Sequence, residues 1–377
     1  MSRSKGMAPA YAGAGAILSG IGLARFAYVP LFPAMVAAGW VDGAEAGLLG
    51  AGNFLGYLAG VLAGRWLAGR IGVPRVLDAG MALAVLAFAA CAWQGGVLWL
   101  LAWRALGGTA GGVLMALAGP SVQAVVPPER RGTASGIVMT GVGSGVILGG
   151  LAVPLLLSGG VPAAWLGLAA ATAVIWLAAR RAWPDPPALP REETVAAVPR
   201  AGRLMLAYAL SGGGMVAPMV YLADLAVRGR GLPIEAGSMI WIGFGIGALL
   251  GTLLGGRVAG RIGGRRALLA WMAVQVAALA AALVPAWPAV VLAGLLGGFA
   301  GVGATAVTLV AAREIAGPQA GVIWVRATAA YAVTQVAFAF LLAALFGTTG
   351  DSHAVVFGVG LALSVAALVV AWAGRQG

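Results

Sequence analysis

One cysteine, one histidine and eleven acids in 377 residues leave little from which to build most kinds of chemical site. A lone Cys91 excludes an intramolecular disulfide and a cysteine cluster, and a lone His353, in a predicted loop, removes the usual imidazole ligand sets. Neither a metal nor a cofactor is implied. No G-x-S-x-G and no nucleotide-binding P-loop occurs, so an intramembrane enzyme or a membrane sensor is an alternative of a different class that the sequence supports poorly. Charge is scarce as well: 9% of residues are charged, against about 25% in soluble domains.

What fills the chain instead is hydrocarbon. Hydrophobic residues make up 61%, and mean hydropathy is +0.98. Apolar runs long enough to cross a bilayer, about 20 residues as a helix, number twelve. They lie at roughly Ala10 to Val36, Ala46 to Ala68, Val76 to Trp93, Val97 to Ala124, Thr133 to Leu157 and Ala163 to Ala179, then Leu204 to Val227, Ala236 to Val258, Ala267 to Val284, Ala289 to Ala312, Ala327 to Phe346 and Ala354 to Trp372. The runs are continuous rather than alternating, which predicts helices and not a barrel. The first is too long and too interrupted for a cleaved leader, so it is expected to remain as a helix.

Basic residues orient the spans. With the N-terminus on the cytoplasmic side, 19 of the 23 Lys and Arg fall in the even-numbered connections and the two tails. Arg228 and Arg230 fall outside, while Arg25 and Arg104 fall within spans. The expected location is a bacterial inner membrane, multi-pass, both termini cytoplasmic. The net charge of +12 is then explained by orientation and anionic headgroups, so lipid rather than nucleic acid is the expected macromolecular surroundings.

Internal repeats divide the chain in two. The stretch "AGRIG" occurs at Ala68 to Gly72 and again 191 residues later at Ala259 to Gly263. "LSG" at Leu18 and Leu210, "GG-x-A-G" at Gly107 and Gly297, and "R-x-T-A" at Arg131 and Arg326 recur at offsets of 192, 190 and 195. The expected organisation is a six-helix half at 1–179, a proline-rich cytoplasmic linker at 180–203 and a second six-helix half at 204–377.

On these residues the chain resembles the major facilitator superfamily. The loop "GRWLAGRIGVPR" at Gly64 to Arg75 is similar to that family's G-x-x-x-D-R-x-G-R-K, with Gly69, and Gly260 in the second half, where the aspartate would stand. Arg104 to Gly108 is similar to its R-x-x-x-G. "GIGLARFAYVPLFP" at Gly20 to Pro33 and "GAGNFLGYLAG" at Gly50 to Gly60 resemble the bacterial YbfB/YjiJ-like subgroup. The resemblance implies an all-α membrane protein of twelve transmembrane helices, in two pseudo-symmetric halves around a central cavity lined by spans 1, 4, 7 and 10. It also implies a secondary transporter working by alternating access, and the chain is read as a monomer.

Arg25 and Arg104 point to the solute. Arg25 lies 15 residues into its span and Arg104 seven into its own. At about 1.5 Å per residue that puts them roughly 22 Å from one surface and 10 Å from the other, so their depths nearly coincide. Guanidinium grips carboxylate or phosphate bidentately, and the spans offer no mid-depth acid, so a small organic anion is the expected substrate. Tyr28, Asn53, Tyr57, Tyr208, Tyr331 and Gln335 are its expected polar companions, although each alone is commonly a satisfied interhelical bond. Arg104 could equally serve helix packing. An exporter of drugs or metabolites is the alternative, disfavoured for cations by the missing membrane acid.

The resemblance implies a cytoplasmic latch at the loop aspartate. With Gly69 and Gly260 in its place, gating is expected to fall to Arg70, Arg75, Arg261 and Arg266, with Glu129 and Glu314 as partners. Coupling is expected to be facilitated diffusion or anion exchange, or proton symport with the proton on the substrate or on Asp224, a span-end acid.

Overall fold

The computed structural model describes residues 6–186 and 201–373. Twelve helices are long and apolar enough to span a membrane. They are α1 Ala8–Ala37, α2 Gly43–Ile71, α3 Val73–Cys91, α4 Val97–Val125, α5 Pro128–Leu157, α6 Gly160–Ala182, α7 Ala201–Gly229, α8 Ile234–Ile262, α9 Gly264–Leu283, α10 Trp287–Ala316, α11 Ala320–Thr348 and α12 His353–Ala373. They fall into two compact units, Met1–Arg191 with α1 to α6 and Glu192–Gly377 with α7 to α12. Much of the expected linker, 187–200, lies outside the described residues.

The same packing is built twice. In the first unit α2 lies along α4, α3 against α4 and α6, and α1 against α5; in the second α8 lies along α10, α9 against α10 and α12, and α7 against α11. Glycine makes the tightest of these contacts. A methyl on Gly56 would overlap the Ala105 carbonyl, and one on Gly108 the Asn53 carbonyl; 190 or 191 positions on, Gly247 meets Leu295 and Gly298 meets Phe244 in the same way. Association of apolar helices in lipid depends on close packing through small residues, and here the seam is backbone against backbone.

Local signals set the helix ends. Asp42 accepts from the Glu45 N–H while the Glu45 side chain accepts from the Asp42 N–H, each at 2.8 Å, a reciprocal cap opening α2. Both copies of "AGRIG" end a helix on a glycine with positive φ, Gly72 at 88° and Gly263 at 90°, a conformation that a side chain would strain. The chain turns there straight into α3 and α9. Leucines and valines on the outer faces are exposed, as lipid contact requires, and Trp93, Trp99, Trp287 and Trp372 are exposed near span ends, where indole favours the membrane interface.

Two helices are broken. In α1 a π-helical turn, Leu18–Leu23, is followed by an irregular stretch before Tyr28. Pro30 and Pro33 then withhold the N–H groups that an unbroken helix would use. In α7 the helix stops at Gly214 and resumes at Val216, ahead of Pro218, and a second π-helical turn covers Leu225–Gly229. Such turns leave backbone carbonyls for side chains to satisfy.

Candidate functional site

The break in α1 organises the first unit. Regular pairing runs as far as the Ala27 N–H, which donates to the Leu23 carbonyl at 3.0 Å, and the Ala24 carbonyl turns to side chains. Arg104 of α4 donates to it from Nη1 at 2.8 Å, and Asn53 of α2 donates from Nδ2 at 3.3 Å and also reaches the Arg104 carbonyl at 3.0 Å. Three helices are thus tied at one backbone oxygen. The Arg104 guanidinium is 3% exposed, so this work is done away from solvent. It lies 4.3 Å from the Tyr28 ring, whose own hydroxyl donates to the Ala46 carbonyl at 2.7 Å, and 5.9 Å from the Trp165 ring. Beside it is a small cavity that Arg104 lines together with Trp103, Trp165 and the apolar side chains of Ala84, Ala87 and Phe88.

Arg25 is placed differently. It is one residue from that tied carbonyl, so the two arginines do lie at one level, yet its side chain is only half-buried. The guanidinium carbon stands 4.0 Å from the Phe54 ring centre, 4.9 Å from Tyr57 and 5.4 Å from Phe26. Arene faces hold a cation without neutralising it. Of the five residues expected from this half, Arg25 and Tyr57 form this aromatic-walled group, and Arg104, Asn53 and Tyr28 form the tie beside it.

In the second unit, the Tyr208 hydroxyl and Thr305 Oγ1 are 3.0 Å apart, and the Tyr208 ring packs at 4.5 Å on Tyr331, against which Gly212 leaves room for no side chain. Gln335 is buried and donates to the Met219 sulfur at 3.4 Å. Sequence reading passed over the group that holds the α7 break. Gln275 of α9 accepts from Ser211 Oγ at 2.7 Å and donates to the Ser211 carbonyl at 3.0 Å and to Ser364 Oγ of α12 at 2.8 Å. A single glutamine inside an apolar span was the available signal.

Two expectations are corrected. Asp224 was read as a span-end acid and no buried carboxylate was expected, but its side chain is fully buried. His353 was read as a loop residue, but it is the first residue of α12 and is nine-tenths buried. The two meet, His353 Nε2 lying 2.8 Å from Asp224 Oδ2. Arg228, one turn beyond Asp224, donates from Nε to Asp224 Oδ1 at 2.8 Å and from both terminal nitrogens to Asp351 at 2.9 and 2.7 Å.

Of the predicted latch residues, Arg70 packs over Trp66 at 4.1 Å, Arg75 donates to the Ile71 carbonyl at 3.4 Å, and Arg261, Arg266 and Glu129 are exposed. Nothing stands within 4 Å of where a Cβ on Gly69 or Gly260 would be. Glu314 accepts from the backbone N–H groups of Gly264 at 2.5 Å and Arg265 at 3.1 Å, which caps the start of α9.

A family model described as "Uncharacterised MFS-type transporter YbfB" matches residues 17–371. No curated protein matches the sequence. Among solved structures, the chain is similar to a bacterial homologue of the human lysosomal transporter Spinster, inward-facing and unoccupied, with a TM-score of 0.71 and 15% identity over 98% of this chain and 95% of that one. It is similar to a D-xylose–proton symporter (TM-score 0.73, 15% identity, 97% of each chain) and to the nucleoside transporter NupG (TM-score 0.75, 13% identity, 97% of this chain and 99% of that one).

Proposed function

The chain belongs to the YbfB family of MFS-type transporters, and we propose that this secondary transporter carries a small organic anion by alternating access across a bacterial inner membrane, as a monomer with both chain ends cytoplasmic. The observation that carries the anion reading is Arg25. Its guanidinium carbon lies 4.0 Å from the Phe54 ring centre and 4.9 Å from that of Tyr57, half-buried in a helix that contains no acid, and a guanidinium stays charged there. Bidentate bonding to a carboxylate or phosphate is the strongest interaction such a group offers a solute. Tyr57 shares the wall, and Tyr28, Asn53 and Arg104 hold α1 in the broken form that sets Arg25 there.

Within the second half, Tyr208, Tyr331 and Gln335 are assigned to orienting the rest of the solute. A carrier of cationic drugs is disfavoured because Asp224, the one fully buried acid among the described residues, already faces Arg228 and His353. Orientation rests on the basic residues of the even-numbered connections, and the halves 1–179 and 204–377 with the linker 180–203 complete the assignment. Gating is assigned to Arg70 and Arg75 beside Gly69, Arg261 and Arg266 beside Gly260, and Glu129. Glu314, occupied at α9, serves there by fixing the loop.

A thermal-shift screen of the purified protein against organic anions, cations and sugars tests the solute class, since a ligand of the folded state raises apparent stability with the logarithm of its concentration over Kd. Dicarboxylates or sugar acids are expected to stabilise the protein, and hits confined to cations or neutral sugars would sink the anion reading.

A further inference from the structure

Two acids, Asp224 and Asp351, share one permanently charged partner, Arg228, in a cluster that also holds the chain's only histidine. With the imidazole neutral, the four groups carry one net negative charge; with one added proton they carry none. An uncompensated charge in a buried setting is costly, and Asp224 is fully buried. The cluster therefore has a place for one proton, and the contacts of His353 say where.

An ionised carboxylate only accepts hydrogen bonds. Asp224 Oδ2 must thus receive a hydrogen from His353 Nε2 at 2.8 Å, which fixes the neutral tautomer and leaves Nδ1 as the basic nitrogen. Nδ1 faces Gly229, the last residue of the π-helical turn of α7; a Cβ there would stand 3.0 Å from it. Glycine places no side chain of its own over this nitrogen, and Gly229 is partly exposed although His353 is buried. The imidazole is also seated edge-on against Phe346, ring centres 5.1 Å apart, and Phe346 packs on Tyr221 at 4.9 Å.

Among the described residues, the other charged side chains of the packed elements are turned elsewhere, and Tyr221 reaches the imidazole only across Phe346. At this end α8 carries Glu235, exposed in its first turn. Arg230 is turned to the Ala282 and Val284 carbonyls at the end of α9, at 3.0 and 3.3 Å. The first turns of α10 and the last turns of α11 contain no charged residue or histidine.

We propose that His353 and Asp224 form a proton-binding site of this transporter, in which a proton from water adds to His353 Nδ1 and neutralises the cluster that fastens the π-helical end of α7 to the start of α12. The Nε2–H bond to Asp224 is kept throughout, and the only bond exchanged is that of the incoming proton. Loss of the proton restores the net charge and loosens that fastening. Histidine is suited to the role because its charge changes in the physiological range. The site belongs to the second unit and Arg25 to the first, and the proposal does not depend on the solute being an anion.

The single histidine makes the test direct. Full-length protein labelled with [15N]histidine and purified on a tag free of histidine gives the signals of one imidazole. Across pH 5 to 9 we expect the Nδ1 resonance to change from unprotonated to protonated as pH falls while Nε2 stays protonated. Asp224→Asn should move the midpoint to lower pH, because the protonated ring loses its anionic partner. Should that variant fail to fold, Asp351→Asn, at the partly exposed edge of the cluster, should move it in the same direction by less. An Nδ1 signal that does not titrate, or one whose midpoint is unmoved in the variants that fold, would overturn the proposal.

Discussion

Arg25 and Arg104 are one chemical type at one level of the molecule, and their surroundings give them different work. Arg104 donates to a backbone carbonyl where α1 is broken, so Arg104→Ala withdraws a charged donor from a buried oxygen that Asn53 alone would then serve. A lost buried bond of this kind costs about 1 to 3 kcal/mol, and thermal unfolding in detergent should show that loss. Arg25 rests on aromatic faces, a contact worth about 0.5 to 2 kcal/mol. Arg25→Ala should therefore keep most of the stability and lose binding of the screened anion. Arg25→Lys should recover little of it, since an ammonium lacks the planar pair of donors. Unimpaired binding in Arg25→Ala would remove that residue from the site. The sequence made the shared level of the two arginines visible, because depth along a span is counted in residues. It could not divide their roles, because that depends on which carbonyl the break in α1 leaves open.

At the scale of the helix, what was legible followed from local pattern. Apolar length gave all twelve spans, with ends that move by a few residues where caps act, as at Asp42 with Glu45. The breaks in α1 and α7 were not legible, because proline also stands inside unbroken helices, as Pro120 and Pro154 do, and the π-helical turns left no signature. His353 was misread because position 353 follows a short polar turn, and only the packing of α12 on α7 brings it over Asp224, 129 residues away. The glycines also separate at this scale. Gly56 faces the Ala105 carbonyl with no room for a methyl, whereas Gly69, near the end of the same helix, has nothing within 4 Å. Gly56→Ala should destabilise by about 1 to 3 kcal/mol or more, as overpacking does, and Gly247→Ala should match it. Gly69→Ala should be neutral or slightly stabilising, as expected of a freely placed helical glycine. Thermal unfolding of the three variants decides the point, and equal effects would mean that α2 and α4 do not meet through backbone.

For the whole molecule, charge distribution makes the firmest prediction. Reporter fusions after Pro190 and after Ser352 should report opposite sides of the membrane, because the first follows an even number of spans and the second an odd number. Reports from one side would break either the count or the orientation. The seam of α2 with α4 and of α8 with α10 has a consequence of another kind. Where two backbones touch through glycine, almost any replacement adds atoms where none fit, so mutation has had nowhere to go. Tyr208, Gln275 and His353, by contrast, have no copies 191 positions earlier, where Ile17, Ala84 and Pro162 stand. The halves thus share glycine at the seam, where no side chain can enter, and differ at these three side-chain positions. The seam reads as a fossil of the duplication that produced a twelve-helix chain from a six-helix ancestor.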